Sequence, residues 1–194
     1  DEEAVRLTWR TASEQNNAGF RVQRRVGADD RGSSEAVETD RRSVATEKEA
    51  WQTVGRVEGA GTTTEAQSYR FTDGGLPYEA DALTYRLKQV DTDGSAHYSK
   101  TVTVERDVDA VRLLGTYPNP ASRRATVRYA LPERQEVTVR LYDVLGRRVR
   151  TVVRAEQEGR HERQLDVSGL PSGVYFLRLR AEGQLRTQKM NVVR

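Results

Sequence analysis

Hydrophobic and polar positions alternate with a period of two along most of the chain. Because successive side chains of a β-strand point to opposite faces, this period is typical of strands that bury one face. In the first half the alternation predicts strands over residues 5–10, 20–24, 51–57, 69–71, 83–90 and 97–104. Turn-forming residues lie between them, and they predict turns at 16–19, 73–75 and 91–94.

The second half continues the pattern with seven further segments. The predicted strands span residues 113–117, 126–131, 137–143, 147–153, 159–166, 173–181 and 185–193. Short strands about ten residues apart, separated by glycine turns, are typical of antiparallel sandwiches. We therefore predict an all-β chain of two domains, residues 1–105 and 112–194, joined by a polar linker over residues 106–111.

Residues 27–50 interrupt the rhythm. They are polar and charged and lack apolar periodicity, which predicts a long surface loop. The sequence contains no amphipathic helical pattern and no apolar run of about 18 residues, the length that a membrane-spanning helix needs.

Charge changes sign along the chain. Residues 1–109 carry 15 basic and 21 acidic side chains, a net charge of −6, whereas residues 110–194 carry 17 basic and 8 acidic, a net charge of +9. This asymmetry suggests two modules with different neighbours. Since the chain opens with Asp1 rather than Met, we expect a fragment of a larger exported protein with its cargo upstream.

Residues that carry chemistry are sparse. Without cysteine, the chain has no disulfide, thiolate metal site or cysteine nucleophile. His97 and His161 are the only histidines, which leaves no histidine triad or multi-histidine metal site. Residues 91–94 begin like a calcium loop but lack its closing Glu, so a hairpin turn is the better interpretation. We predict no enzyme, no cofactor and no metal.

The first half resembles a bacterial fibronectin type III or related immunoglobulin-like domain. The segments that carry the resemblance are residues 7–9, 17–24, 69–73 and 85–91. It implies an immunoglobulin-like antiparallel sandwich with Trp9 at its centre and the hydroxyl of Tyr85 bonded back to backbone. An alternative makes this domain a carbohydrate-binding or spacer module of a secreted polysaccharide-degrading enzyme; its candidate aromatics are Trp51, Tyr69, Tyr78 and Tyr98.

The second half carries several motifs in a fixed order, over residues 117–121, 125–132, 137–149, 172–179 and 188–194. They resemble the C-terminal sorting domain of the type IX (Por) secretion system, found at the C-terminus of exported Bacteroidota proteins. A related immunoglobulin-like module of flagellar hook-capping proteins shares part of the pattern. The position of the last motif at the end of the chain favours the sorting domain.

The resemblance implies a non-catalytic sorting signal that binds the type IX outer-membrane translocon and a sortase. The protein would pass through the periplasm to the cell surface or the exterior. Arginines alternate with apolar residues and so lie on solvent faces. This suggests attraction to anionic partners, such as lipopolysaccharide or acidic surfaces of the translocon, rather than to nucleic acid. We expect a monomer.

Two groups of residues are assigned to this role. The candidate recognition residues are Tyr117, Pro118, Asn119, Pro120, Gly146, Arg147, Gly173, Tyr175, Lys189, Val192, Val193 and Arg194. The candidate cleavage region is the exposed polar linker Arg106, Asp107, Val108, Asp109, Ala110, Val111 and Arg112.

Overall fold

The computed structural model describes residues 3–27 and 50–194, so the predicted 27–50 loop lies almost wholly outside the described residues. The chain divides into two compact units, Asp1–Arg106 and Asp107–Arg194. Every regular element in the described residues is a strand, and all pairs of named strands are antiparallel. The predicted fold class, all-β with antiparallel immunoglobulin-like sandwiches, is confirmed.

In its described ranges, 3–27 and 50–106, the first unit contains two sheets built from seven strands. The strands are β1 (Val5–Thr11), β2 (Glu14–Val26), β3 (Gln52–Thr63), β4 (Gln67–Asp73), β5 (Ala82–Asp91), β6 (Ala96–Tyr98) and β7 (Val102–Glu105). β1 pairs with β4, while the larger sheet has the order β3-β2-β5-β6 with β7 also paired to β5. Val22 and Leu83 of the larger sheet are fully buried, with Leu7 and Phe71 packed against them.

An aromatic cluster occupies one part of this core. Trp9 stacks on Tyr69 with 5.6 Å between ring centroids and meets Phe20 edge-on at 5.4 Å. Trp9 is half-buried, so it fills the centre together with its two neighbours rather than alone.

A buried ion pair joins the two sheets. Arg24 of β2 donates to the Asp73 carboxylate at the end of β4 over 2.7 Å and to the Gly75 carbonyl over 2.9 Å. The Tyr85 hydroxyl donates to the same carboxylate over 2.9 Å. Burial, and then the neighbouring Asp73 charge, raise the pKa of Tyr85 above its ordinary value. The predicted bond from this tyrosine to backbone is therefore wrong, because its hydroxyl reaches a carboxylate instead.

Glu14 forms a second buried polar centre. Its carboxylate accepts hydrogen bonds from the Tyr69 hydroxyl at 2.6 Å, Thr11 at 2.8 Å, the Asn17 amide at 2.8 Å and the Ala60 backbone at 2.9 Å. Burial acts to raise the pKa of Glu14, but these four donors outweigh it and lower the pKa below its usual value. Burial and the bond to Glu14 raise the pKa of Tyr69 to about 12.

Two predicted features of the first unit are wrong in detail. Residues 16–19 form no turn: they lie inside β2, where the register shifts on either side of Asn17 and the φ of Asn16 is 54°. The single strand predicted over 97–104 is two strands, since the Ser99 hydroxyl takes the backbone N–H of Leu87 that a continuous strand would use.

The second unit has five strands, of which two are very long. They are β8 (Arg112–Tyr117), β9 (Arg124–Asp143), β10 (Arg148–Asp166), β11 (Gly173–Ala181) and β12 (Gln184–Val192). The hydrogen-bonded order is β10-β9-β11-β12, with β8 also paired to β9. β9 and β10 each replace two predicted strands.

β9 and β10 are each continuous because their central turn-forming residues, Pro132 and Gly159, mark a bend in the strand rather than its end. Residues 132–134, which begin with Pro132, have no partner in the register, and opposite them Gly159 takes a φ of 77° next to a bulge. Before the bend β9 pairs with β8, and after it with β11. One bent hairpin therefore contributes to both layers of the sandwich.

The core of the second unit is larger and apolar. Odd-numbered residues of β9 point inward on both sides of the bend, and they meet Leu177 and Leu179 of β11 and Met190 of β12. Among the residues that the structure describes, the cluster here has twenty buried side chains and the first unit's cluster has four. At about 1.5–3 kcal/mol for each fully buried aliphatic side chain, hydrophobic burial is the main stabilising term in this unit.

We expect Asp73→Ala to lower the free energy of unfolding of the first unit by about 3–5 kcal/mol, since it leaves the buried Arg24 cation unpaired. Both tryptophans, Trp9 and Trp51, lie in this unit, so denaturant unfolding followed by tryptophan fluorescence reports on it directly. Glu65→Ala removes a charge from an exposed position and should change the free energy by less than about 0.5 kcal/mol. Equal midpoints for the two variants would contradict the role of the ion pair.

Candidate functional site

The Pro-Asn-Pro segment after β8 is attached to the last strand. The Asn119 side chain accepts from the backbone N–H of Asn191 at 2.9 Å and donates to the carbonyl of Lys189 at 3.3 Å. Ala121 donates to the Asn191 carbonyl and accepts from the Val193 N–H, both at 2.9 Å. Two candidate segments that are some 70 residues apart in sequence are thus one structural element.

The hairpin between β9 and β10 is closed by an aspartate. The Asp143 carboxylate accepts from the backbone N–H groups of Leu145 at 3.0 Å and Arg147 at 2.9 Å, and from the Arg147 side chain at 2.7 Å. Gly146 has a φ of 75°, which is why glycine is favoured there. The bond from Arg147, followed by the backbone donors, holds the pKa of Asp143 below its usual range.

The start of β11 lies between this hairpin and the end of β12. Tyr175 is the register partner of both Asp143 and Met190, and Gly173 is the partner of Val192. Tyr175 is 6% exposed, and its hydroxyl donates to the Pro171 carbonyl at 2.9 Å. The register therefore places the β9–β10 hairpin, the start of β11 and the end of β12 at the same end of the unit.

The structure brings the candidate recognition residues together at this end, which we call the terminal face. It comprises residues 117–121, 143–147, 173–175 and 189–194. Tyr175 and Val192 are buried and hold the strands in place. The solvent-exposed candidates are Tyr117, Pro118, Asn119, Pro120, Gly146, Arg147, Gly173, Lys189, Val193 and Arg194.

Exposed apolar side chains concentrate on the terminal face. Of the nine large hydrophobic residues that are exposed in the described part of the chain, five lie here: Tyr117, Val144, Leu145, Val174 and Val193. Leu145 is 73% and Val144 66% exposed at the tip of the hairpin. Clustered exposed apolar residues on a soluble domain mark interaction surfaces.

Sequence reasoning missed Asp143, Val144, Leu145 and Val174 as parts of this site. The signal for Asp143 was present, because an Asp three residues before a glycine turn often accepts backbone N–H groups. The exposure of Val144 and Leu145 could not be read from alternation, which stops at a turn.

The linker is shorter than predicted. Arg106 is part of the first unit: its side chain is 8% exposed and donates to Glu3 at 2.6 Å and to the carbonyls of Pro77 and Ala80 at 2.8 and 2.7 Å. Val111 is 2% exposed in the core of the second unit. Asp107, Val108, Asp109 and Ala110 are the residues that belong to neither a strand nor a core.

The remaining candidates are not part of the terminal face. His161 stacks on Tyr129 at 5.3 Å, and exposed His97 lies 3.9 Å from Asp91. Asp91 and Asp93 cap a hairpin turn at Gly94. Within the described residues there is no cluster of three or more His, Cys, Asp or Glu side chains that could hold a metal.

The candidate aromatics of the first unit do not form a row. Tyr69 belongs to the core cluster, with its hydroxyl on Glu14. Trp51 and Tyr98 share the outer face of the larger sheet, but Arg86 lies between them, 4.1 and 4.3 Å from their ring centroids.

Comparison with known proteins gives a match for the second unit. Residues 115–193 match the family model of the secretion system C-terminal sorting domain. The match covers less than half of the chain, and it supports the resemblance predicted for the second half; the fibronectin type III resemblance of the first half stays a prediction. No curated protein matches the chain.

Among solved structures, the chain aligns with the crystal structure of dimeric latent PorU from Porphyromonas gingivalis. The alignment has 22% sequence identity and a TM-score of 0.36, and it covers 68% of this chain. The chain spans only 14% of that protein's length. A score this low does not establish a shared fold.

Within the described residues no helix has the length and the apolar character needed to cross a membrane.

Asn119→Ala should release the end of β12, because it removes both side-chain bonds to that strand. We expect the amide hydrogen of Asn191 to exchange faster, and the second unit to lose about 1–2 kcal/mol of unfolding free energy. Hydrogen exchange followed by NMR measures the first effect. Ser122→Ala, an exposed change in the same segment, is the control. Unchanged protection of Asn191 in Asn119→Ala would contradict the attachment.

The hairpin should respond to acid in a defined direction. Because the folded-state pKa of Asp143 lies below its unfolded value, its hydrogen bonds are present above the unfolded value and are lost as the pH falls through the lowered one. NMR titration of the Leu145 and Arg147 amides should give an apparent pKa below the ordinary value of an aspartate carboxyl. Arg147→Gln should move it upward. A titration at or above the ordinary value in the unmodified chain would contradict this account.

Proposed function

We propose that residues 112–194 act as a type IX secretion sorting signal, which directs an upstream cargo across the outer membrane. The module is non-catalytic, and its partners are the type IX translocon and a sortase. The cargo travels through the periplasm to the cell surface or the exterior.

One observation is the main support for this proposal: the residues that match the sorting-domain family include the segments that form the terminal face. The match spans residues 115–193, and the motifs within it that lie far apart in sequence meet at one end of the unit. That end also carries the five exposed apolar residues of the terminal face. A signal that is recognised by its shape needs its motifs to meet in space, because a receptor contacts residues that share a surface, whatever their distance in sequence.

The sortase removes the module at the linker. A protease needs accessible backbone without strand pairing. Asp107–Ala110 are the residues of the predicted cleavage region that lie outside both the strands and the cores, and Asp107 and Asp109 among them are exposed. Strong bonds of Arg106 to the first unit and burial of Val111 in the second protect the peptide bonds on either side.

Attraction of the uncleaved module to anionic lipopolysaccharide belongs to the same proposal. The second unit has a strongly positive charge, and several of its arginines lie on the outer face of the β10-β9-β11-β12 sheet. Arg140 and Arg178 are register partners there, and Arg178 lies over the ring of Tyr142 at 4.9 Å. Such a face attracts anionic surfaces and does so less as salt rises.

The first unit serves as a fibronectin type III-like spacer between cargo and signal. The alternative, an accessory module of a secreted polysaccharide-degrading enzyme, needs a carbohydrate-binding surface on this unit. The aromatics predicted for such a surface do not form one, as described above.

A reporter protein tests the sorting role. In a bacterium with a functional type IX system, a reporter fused to residues 1–194 and one fused to residues 107–194 should both reach the cell surface or the medium. A reporter fused to residues 1–106 should stay in the periplasm. Mass spectrometry of the released reporter should place its new C-terminus within residues 107–110.

Variants of the terminal face give a sharper test. The double change Val144→Ser and Leu145→Ser should reduce surface delivery several-fold, whereas Leu114→Ser, at another exposed apolar residue of the same unit, should leave it unchanged. Periplasmic retention of the 107–194 fusion would count against the sorting role. Equal delivery of both serine variants would count against the terminal face.

A further inference from the structure

Arginines line a cleft of about 720 Å³ on the outer face of the β10-β9-β11-β12 sheet of the second unit. The charged residues of this cleft are Arg140, Arg154, Arg178, Arg180, Glu136 and Glu182. We call these six residues the arginine cleft. Four cations and two carboxylates give it a net charge of +2. A lining with this charge favours an anion over an apolar ligand.

The strand register places these arginines on one side of the sheet. Arg140 of β9 is the register partner of Arg178 on β11, and Arg180 lies two residues further along β11. Thr138, the partner of Arg180, is also the partner of Arg154 on β10. Direct partners, and residues two apart along a strand, point to the same face of a sheet. All four guanidinium groups therefore leave the sheet on the same side.

Three of the four arginines have no carboxylate partner in the described part of the chain. The Glu136 carboxylate lies 4.0 Å from the Nε of Arg154 and compensates that cation. Arg140, Arg178 and Arg180 form no ion pair with an acidic residue there. The excess positive charge of the cleft is therefore carried by these three residues.

The arrangement of Arg140 and Arg178 is unfavourable for folding. Like charges directly opposite each other on one face of a sheet are destabilising. The Nε of Arg140 is also buried without a hydrogen-bond partner among the described residues, which is rare for a buried polar atom. Arg178 is ordered by the ring of Tyr142, whose centroid lies 4.9 Å from its guanidinium carbon. Folding stability therefore does not explain this pair, and a bound anion would relieve its repulsion.

We propose that the arginine cleft binds a phosphate monoester. This inference rests on the attraction to anionic lipopolysaccharide proposed above, and it names the chemical group that is recognised and the residues that recognise it. A phosphate monoester carries a charge of about −1.5 to −2 at pH 7, which balances the cleft, whereas a carboxylate balances only half of it. Its three terminal oxygens accept hydrogen bonds from several guanidinium groups at once, and each guanidinium can donate two parallel bonds.

NMR titration of the 194-residue chain with inorganic phosphate tests the proposal. We expect saturable shifts of the backbone amides of Arg140, Arg178 and Arg180, and much weaker shifts with acetate at equal ionic strength. Arg140→Gln, Arg178→Gln and Arg180→Gln should each weaken phosphate binding about tenfold, because each removes a hydrogen bond to a charged group. Arg123→Gln removes an equal charge from an exposed position outside the cleft, and it should alter affinity less than twofold.

Vesicles distinguish a lipid headgroup from a soluble phosphate. Phosphatidylcholine vesicles that contain phosphatidic acid present phosphate monoesters, and vesicles that contain phosphatidylglycerol present diesters. At equal surface charge we expect the chain to cosediment more with phosphatidic acid, and inorganic phosphate to release it. Saturable phosphate binding without this preference would assign the cleft to a soluble phosphate.

Stability measurements separate loss of binding from loss of folding. Since Arg140 faces a like charge and has an unpaired buried donor, Arg140→Gln should melt at the same temperature as the parent chain or higher. Equal shifts with acetate, or equal weakening by Arg123→Gln, would overturn the proposal and leave delivery of a reporter untouched. Periplasmic retention of the 107–194 fusion, in a chain that still binds phosphate, would overturn the sorting role alone.

Discussion

Pairing of the last strand with its neighbours is the interaction on which the second unit depends. β12 pairs along its whole length with β11, and its end is also bonded to Asn119 and Ala121. Because β11 pairs on its other side with β9, the same register fixes the β9–β10 hairpin relative to the chain end. Side chains alternate between faces, so a slip of one residue would turn Met190 and Val192 outward. Correct pairing therefore builds the core and the terminal face at once.

The two units are stabilised by different means. The second has a large apolar core with hydrophobic burial as its main term. The first has a small apolar cluster supplemented by two buried carboxylates, Asp73 and Glu14, each with several donors. Such networks are costly when one partner is lost, so the first unit should be the more sensitive to single polar substitutions.

The sequence predicted the strands better than their connections. The alternation of apolar and polar residues identified the inward positions of β9 on both sides of its bend, because this pattern depends only on which side chains avoid water. Pro132 and Gly159 marked an interruption, but whether a turn signal ends a strand or bends it depends on tertiary pairing. Asn16 and Gly19 likewise belong to a predicted turn, but they lie inside β2 and do not end it. The bonds from Asn119 to β12 join residues some 70 positions apart, which no local pattern encodes.

The recognition role that we propose for the second unit depends on this register, since residues from four separate segments reach one surface only when β12 is correctly paired. Solution NMR of the 194-residue chain tests that claim most directly. We predict cross-strand nuclear Overhauser effects between the backbone protons of Gly173 and Val192 and of Tyr175 and Met190. We also predict proximity of Ala121 to Asn191. Cross-peaks that place β12 one residue out of this register, or a last strand without ordered pairing, would contradict it.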